Sequence, residues 1–263
     1  MAVGGWYVEI LVTNDDGIRS KGLLELVNAL SSVGNIHVVA PDRERSGVGH
    51  AVTMHRPLRV TEVRNIPEAV TGFQVDGTPA DCVKLATAVL LDHRPDLVVS
   101  GVNAGPNLGT DVLYSGTVSA AVEALIMGIP AVAVSIADYS PQWLGLEAAV
   151  ALASRMAQAV QRRGLPEDTL LNINLPRLPA TEIKGIKITK VGIRRYRDFV
   201  EKRLDPWGRT YYWLTGEAID MQDGADLDTS AVKAGWISIT PIRFQLTHEG
   251  FRDELARWDL EWP

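Results

Sequence analysis

Cysteine is almost missing from this chain: Cys82 is the only one among 263 residues. A single thiol excludes an intramolecular disulfide framework and fits a reducing compartment. Long apolar runs are missing too. None approaches the ~20 residues that span a bilayer, which argues against a membrane partner. The segment Met1–Trp6 carries no basic stretch followed by a hydrophobic one, so the expectation is no signal peptide and a cytoplasmic location. A basic excess is also lacking. The net charge is −6, which leaves no electrostatic footprint for a nucleic-acid polymer. A small phosphorylated ligand is still compatible, because backbone amides or a metal can meet its charge. Histidine is scarce, and the five present (His37, His50, His55, His93 and His248) form no H-x-H or H-E-x-x-H spacing. The turn after the first apolar run has no G-x-G-x-x-G, which argues against a dinucleotide-binding dehydrogenase.

What is present is an ordinary globular composition, 46% hydrophobic and 22% charged, long enough for one large core with a smaller appended region. Tyr7–Thr13 and Ile36–Ala40 read as buried strands flanking a helical stripe over Ile18–Leu30, a right-handed β-α-β unit. Leu58–Val63 and Ala69–Val75 read as short strands, paired as a hairpin. Thr78, Pro79 and Asp81 mark a helix start, with Thr78 as N-cap and proline at the first helical position, and that helix runs to about Leu91. Thr78 and Asp81 are assigned to capping and Cys82 to the core. Asp96–Ser100 is a strand leading into a glycine-rich loop over Gly101–Ser115. Gly116–Met127 is a small-residue helix, Pro130–Ser135 a strand, Trp143–Arg163 a long helix and Leu170–Leu175 a strand. This alternation predicts an α/β fold: a Rossmann-like three-layer sandwich on a mostly parallel sheet.

After Pro176 the character changes, and the domain division expected is 1–177 for the catalytic unit and 178–263 for a β-rich C-terminal region. Strands are expected at Ile183–Val191, Thr210–Thr215 and Trp236–Pro241, with a helix at Arg252–Trp258. Aromatic residues gather here, among them Tyr196, Phe199, Trp207, Tyr211, Tyr212, Trp213 and Trp236. Such a cluster suits a small core or an oligomer interface.

The chemistry is concentrated where strands end. Ile10-Leu11-Val12-Thr13 runs directly into Asn14-Asp15-Asp16-Gly17. Adjacent carboxylates repel each other, and burying them at a strand end calls for a cation. In a doubly wound sheet the loops at 13–17, 41–50 and 100–117 share one edge. They would converge Asn14, Asp15, Asp16, Ser46, His50, Ser100, Asn103, Asn107, Ser115 and Thr117. Carboxylate, amide and hydroxyl oxygens favour a hard cation, Mg²⁺, Mn²⁺ or Ca²⁺. The stretch Ser115-Gly116-Thr117 opens a helix, and free amides at a helix N-terminus attract an anion such as phosphate. Blander readings stand beside these. Asp15 or Asp16 could cap the first helix, Ser115 or Thr117 the later one, and Asn103 could support a turn. Ser46 could be a solvated loop serine, and His50, the candidate acid–base group for the leaving oxygen, could be a bystander.

Taken together, the loops are similar to a known family. The pieces are I-L-V-T-N-D-D-G-I at 10–18, A-P-D-R-E-R-S-G at 40–47, D-G-T-P-A-D-C-V at 76–83, V-S-G-V-N-A-G-P-N-L-G at 99–109 and Y-S-G-T-V-S-A-A at 114–121. Y-Y-W-L-T-G at 211–216 and S-I-T-P-I at 238–242 extend the match. In this order and spacing they resemble the SurE family of metal-dependent 5′-nucleotidases, from about Glu9 to the final helix. The resemblance implies hydrolysis of nucleoside 5′-monophosphates by a metal-activated water, with one divalent cation per subunit, Mg²⁺ or Mn²⁺. It implies metal ligation by Asp15, Asp16, Ser46 and Asn103, with Asp15 and Asp16 catalytic. It makes Asn14, Gly47, Asn103, Ser115, Gly116 and Thr117 neighbours of the phosphate. It further implies a homodimer or homotetramer built through the C-terminal region, and breadth toward 3′-nucleotides or polyphosphate. Segments 48–55 and 140–145 are where base preference would reside.

Two other readings are weighed. A haloacid-dehalogenase-type phosphatase needs acids spaced D-x-D, whereas these are adjacent. A non-catalytic metal and nucleotide sensor would carry the same binding groups without turnover.

Overall fold

The protein is described here as a computed structural model, covering residues 8–64, 66, 67, 70, 72–140, 142–197, 200–258, 260 and 262. The strand starts expected at Tyr7 and Ala69, and Phe199, lie outside the described residues.

Strand β1 (Val8–Thr13) is followed by helix α1 (Lys21–Leu30) and β2 (Gly34–Pro41). β3 (Val60–Val63) and β4 (Gly72–Val75) form the expected antiparallel hairpin. Helix α2 (Pro79–Leu85) continues into a wider π-type turn over Ala86–Leu90. β5 (Leu97–Ala104), α3 (Gly116–Ile126), β6 (Ala131–Ile136), α4 (Leu146–Arg163) and β7 (Leu170–Leu175) complete the alternating portion. The C-terminal portion contributes β8 (Ile186–Ile188), β9 (Arg194–Arg197), β10 (Val200–Leu204), β11 (Thr210–Leu214) and β12 (Glu217–Asp220). It ends with α5 (Asp228–Lys233), β13 (Ile237–Ile242) and α6 (Glu249–Leu255).

One nine-stranded sheet runs β3-β4-β2-β1-β5-β6-β7-β13-β8. Strands β4, β2, β1, β5, β6 and β7 are mutually parallel; β3 opposes β4, and β13 opposes β7. The central strands read as near-continuous apolar runs because helices cover both faces. Ile10 and Val12 point into the layer with Leu23, Leu26, Leu30, Leu152 and Ala153 of α1 and α4. Leu11 points into the other layer with Cys82, Val83, Ala120, Ala121 and Ala124 of α2 and α3. Each fully buried Leu or Val contributes roughly 1.5–3 kcal/mol. The alanines of α3 let it lie close to the sheet.

From β1 the chain steps to β2 and β4 on one side, then returns to β5 on the other. The carboxyl ends of β1 and β5 therefore flank a topological switch point, where such sheets bind ligands. Several boundaries differ from the sequence expectation. α1 starts at Lys21 rather than Ile18, because Ser20 caps it by accepting from Leu23 N at 3.4 Å. β5 extends to Ala104, past the expected loop start at Gly101, with a bulge between Ser100 and Asn103 in its pairing with β6. α6 lies three residues earlier than expected. β9, β10, β12 and α5 carried no sequence signal. The segment expected as a strand over Ile183–Val191 is a strand only at Ile186–Ile188.

Thr78 and Asp81 cap α2 as expected. Thr78 Oγ1 accepts from Asp81 N, and Asp81 Oδ2 accepts from Thr78 N at 2.9 Å. Asp81 Oδ1 also accepts from Thr53 N at 2.9 Å, which ties the preceding loop to the helix. Thr78→Ala is expected to cost about 1 kcal/mol, and Asp81→Ala more, because it also frees Thr53. Urea unfolding monitored by circular dichroism checks the order of the two.

Candidate metal and phosphate site

A cavity of about 800 Å³ opens over the carboxyl ends of β1 and β5. Asp15, Ser46, Gly47, Asn103 and Ser115 line it, so residues from three distant loops meet as the topology requires. Asp15 is buried at 4% exposure. Thr117 Oγ1 donates to Asp15 Oδ1 at 2.5 Å, and the Asp15 carbonyl accepts from Arg45 N at 2.7 Å. A Cβ on Gly116 would fall 2.7 Å from Asp15 Cβ, so glycine at this position is what lets the first turn of α3 reach the carboxylate. The positive end of α3 thus faces the Asp15 carboxylate.

Asp16 is less buried. Its Oδ2 accepts a long hydrogen bond, 3.3 Å, from Ala104 N at the end of β5. Burial is the main force raising the carboxyl pKa of both acids. For Asp15 the Thr117 hydroxyl opposes this and the charge of Glu44 adds to it. Asp16 is pushed up to about 7, by burial and then by the charge of Asp15. Neither acid has a salt bridge among the described residues. Two half-compensated carboxylates without a basic partner form a site suited to a cation.

The remaining oxygens fit such an ion. Asn103 Nδ2 donates to Gly105 O at 2.7 Å, and its Oδ1 has no hydrogen bond among the described residues. Ser46 Oγ reaches only the exposed Glu44, at 2.9 Å. Among the described residues no group of three or more His, Cys, Asp and Glu side chains is placed to hold a metal. A cation here depends on two acids plus amide and hydroxyl oxygens, a donor set for a hard ion.

Other expected residues sit beside the cavity. Asn14 braces the turn: its Nδ2 donates to Gly17 O and Ser20 Oγ, and its Oδ1 accepts from Gly17 N. Since Ser20 caps α1, Asp15 and Asp16 do not. Ser115 caps α3, its Oγ accepting from Val118 N at 3.0 Å. Asn107 lines the cavity, but its amide is held by Ser135 and its backbone by Asn172 and Asn174. Ser100 is fully buried beside its register partner Thr13. His50 does not line the cavity. Its Nε2 lies 2.8 Å from the buried Glu123 on α3, whose other oxygen lies 2.6 Å from Lys84 Nζ. An imidazole held there ties the Ser46 loop to α3.

Sequence reasoning missed the wall built by the C-terminal portion. Arg194 pairs with Asp111 at 3.1 Å and Asp220 at 2.9 Å, and Tyr196 Oη donates to Asp111 at 2.9 Å. Asp228, fully buried, accepts from Gly109 N and Gly192 N and so fastens this wall to the loop after β5. The only signal was an acid within the glycine loop and the Arg194-Arg195-Tyr196-Arg197 run.

Fold and site define an α/β protein with a cavity at its topological switch point, one end of which carries carboxylate, amide and hydroxyl oxygens. Over residues 10–198 the sequence matches the family described as Survival protein SurE. It is 50% identical over 253 residues to the 5′-nucleotidase SurE of Carboxydothermus hydrogenoformans, covering 95% of this chain and 96% of that one. It is 52% identical over 252 residues to the 5′-nucleotidase SurE of Pelotomaculum thermopropionicum, covering 95% of each. Its fold matches the crystal structure of the SurE protein from Aquifex aeolicus with a TM-score of 0.80 at 42% identity, covering 94% of this chain and 98% of that one. The chain belongs to the SurE family.

The raised carboxyl of Asp16 fixes the sign of a pH effect. An acid whose folded pKa lies above its unfolded value stabilises the fold at low pH and loses that contribution as pH rises through the folded pKa. For Asp16 the window runs from about 4 to about 7. Metal-free Asp16→Asn is therefore expected to gain stability over the parent protein between pH 4 and pH 7.5. Thermal unfolding in chelator across that range checks it.

Proposed function

We infer that this chain hydrolyses nucleoside 5′-monophosphates in the cavity built on Asp15. It is a 5′-nucleotidase, a hydrolase of phosphoric monoesters, like the relatives that carry that name. The observation that carries the site assignment is the pair of acids at the switch point, Asp15 buried and Asp16 half-buried, with no basic partner among the described residues.

In this reading one divalent cation per subunit, Mg²⁺ or Mn²⁺, is held by Asp15, Asp16, Asn103 Oδ1 and Ser46 Oγ. Such a cation supplies positive charge to the phosphoryl oxygens and makes a water a better nucleophile. The chain's own groups do the rest. Gly47, Ser115 and Gly116 offer backbone close to the phosphate, and Gly47 is open, with nothing within 4 Å of a Cβ placed on it. Asn14 and Thr117 act through their neighbours. Asn14 holds the turn that carries the acids, and Thr117 fixes the Asp15 carboxylate by hydrogen bonding one oxygen, leaving the other for the ion. The residues that receive the substrate are thus set before it arrives, which is the main source of rate in phosphoryl transfer.

Phosphate release from AMP tests the activity and the ligand set together. Turnover is expected with Mn²⁺ or Mg²⁺, to vanish in chelator, and to fall at least about a hundredfold in Asp15→Asn and Asp16→Asn at saturating metal. Near-normal rates in both variants would remove the acids from the mechanism. Nucleotide binding by the parent protein without phosphate release would favour a sensor.

Residues 1–177 are the catalytic unit in this proposal, and 178–263 drive self-association into a dimer or tetramer. Strands β10 and β11 pair with each other, and every residue of both is exposed, including Tyr212, Trp213 and Leu214. An isolated hairpin is marginal in water, so a ribbon this apolar needs a surface to cover it. Sedimentation is expected to show an oligomer for the parent chain and a smaller species for Tyr212→Glu with Trp213→Glu. A monomeric parent chain would overturn the assignment.

A further inference from the structure

The cavity extends well beyond the acids. A nucleoside monophosphate with its phosphate near Asp15 and Asn103 must lay its ribose and base along the remaining wall. That wall carries Tyr139, which lines the cavity and is 80% exposed. Three consecutive ring carbons of Tyr139 lie over the bare Cα of Gly105: a Cβ there would fall 2.3 Å from Cε1, 2.8 Å from Cζ and 3.1 Å from Cδ1. Gly105 has φ +117°, so both the backbone and the close approach of the ring require glycine.

The loop presenting the ring is braced as well. Asp138, 2% exposed, accepts from Ser140 N at 2.8 Å and Leu144 N at 2.9 Å, and pairs with Arg177 at 3.0 Å. Gly105 N donates to Ile136 O at 2.9 Å, which locks the ring's support to the end of β6. Gly105 lies only two residues from Asn103, a Cα separation of at most about 7 Å. A ribose bridges such a gap. Tyr196 and Leu214 line the same cavity and add apolar surface. An aromatic ring, pre-set on a glycine and turned toward open cavity, is what a flat heteroaromatic base stacks on.

We propose that Tyr139, seated on Gly105, is the platform for the nucleobase of the substrate and a determinant of preference for nucleotides over base-free phosphate esters. The proposal rests on the nucleotidase reading above. Its ligand is the base and ribose, not the phosphate, so Tyr139 acts on binding rather than on the phosphoryl step.

The test compares AMP with ribose 5-phosphate in saturating Mn²⁺ for the parent protein, Tyr139→Ala and Tyr139→Phe. The ratio of kcat/KM for AMP to that for ribose 5-phosphate is expected to fall about tenfold in Tyr139→Ala, through KM, and to be kept in Tyr139→Phe. An unchanged ratio in Tyr139→Ala, or an equal fall in Tyr139→Phe, overturns the platform. Calorimetric titration with adenosine reads the same subsite without turnover. Binding by the parent protein that weakens in Tyr139→Ala supports the proposal; no binding, or equal binding, overturns it. Adenosine binding intact in a parent protein that releases no phosphate from AMP overturns the nucleotidase reading alone.

Discussion

A carboxylate buried to 4% exposure at the end of a strand organises this molecule. Asp15 cannot stay ionised there without help from elements far away in sequence. Thr117 supplies a hydroxyl, α3 its positive end, and Gly116 the missing Cβ that permits both. The helix terminus that looks like an anion site in the sequence thus already faces an anion of the protein itself. Meeting this demand fixes α3 against the end of β1, and β5 and β6 follow from their pairing with β1 and each other. Asp16 gains much less, one long hydrogen bond, so part of the cost of the acid pair is left uncompensated. That residue of unfavourable electrostatics is what a cation relieves.

The parallel core and the acid pair were legible in the sequence for physical reasons. Strands buried on both faces read as unbroken apolar runs, and paired acids at the end of one stand out against them. Helix starts were less legible where capping is shared. The N-cap of α1 is Ser20, held by Asn14, two residues beyond the first residue of the apolar stripe. The extension of β5 to Ala104 was hidden by glycine, which reads as loop although here it sits in a bulged strand. His50 drew attention as a polar loop residue, yet its partner Glu123 is 73 residues away and invisible to local pattern. Strands β9, β10 and β12 lack the alternation that a half-buried strand shows: β10 is exposed throughout, and β9 and β12 are partly covered only at Arg194, Ile219 and Asp220.

The C-terminal portion is less separate than its composition suggests. β13 adds to the main sheet antiparallel to β7, and β8 follows it as the edge strand. Asp228 then joins the loop after β5 to the backbone just before β9, and β9 brings Arg194 to Asp111 in the cavity wall. The segment proposed to self-associate is thereby mechanically continuous with the cavity.

Gly105 is where the two ends of the cavity meet. Its carbonyl takes the Asn103 amide hydrogen, which leaves the Asn103 Oδ1 for the proposed cation. Its bare Cα carries the Tyr139 ring, and its N–H is held by β6. Any side chain at this position would strain the backbone at φ +117° and displace the ring together. The groups proposed for the phosphate end, Asn103, and for the base end, Tyr139, therefore rest on one backbone segment, the bulged end of β5.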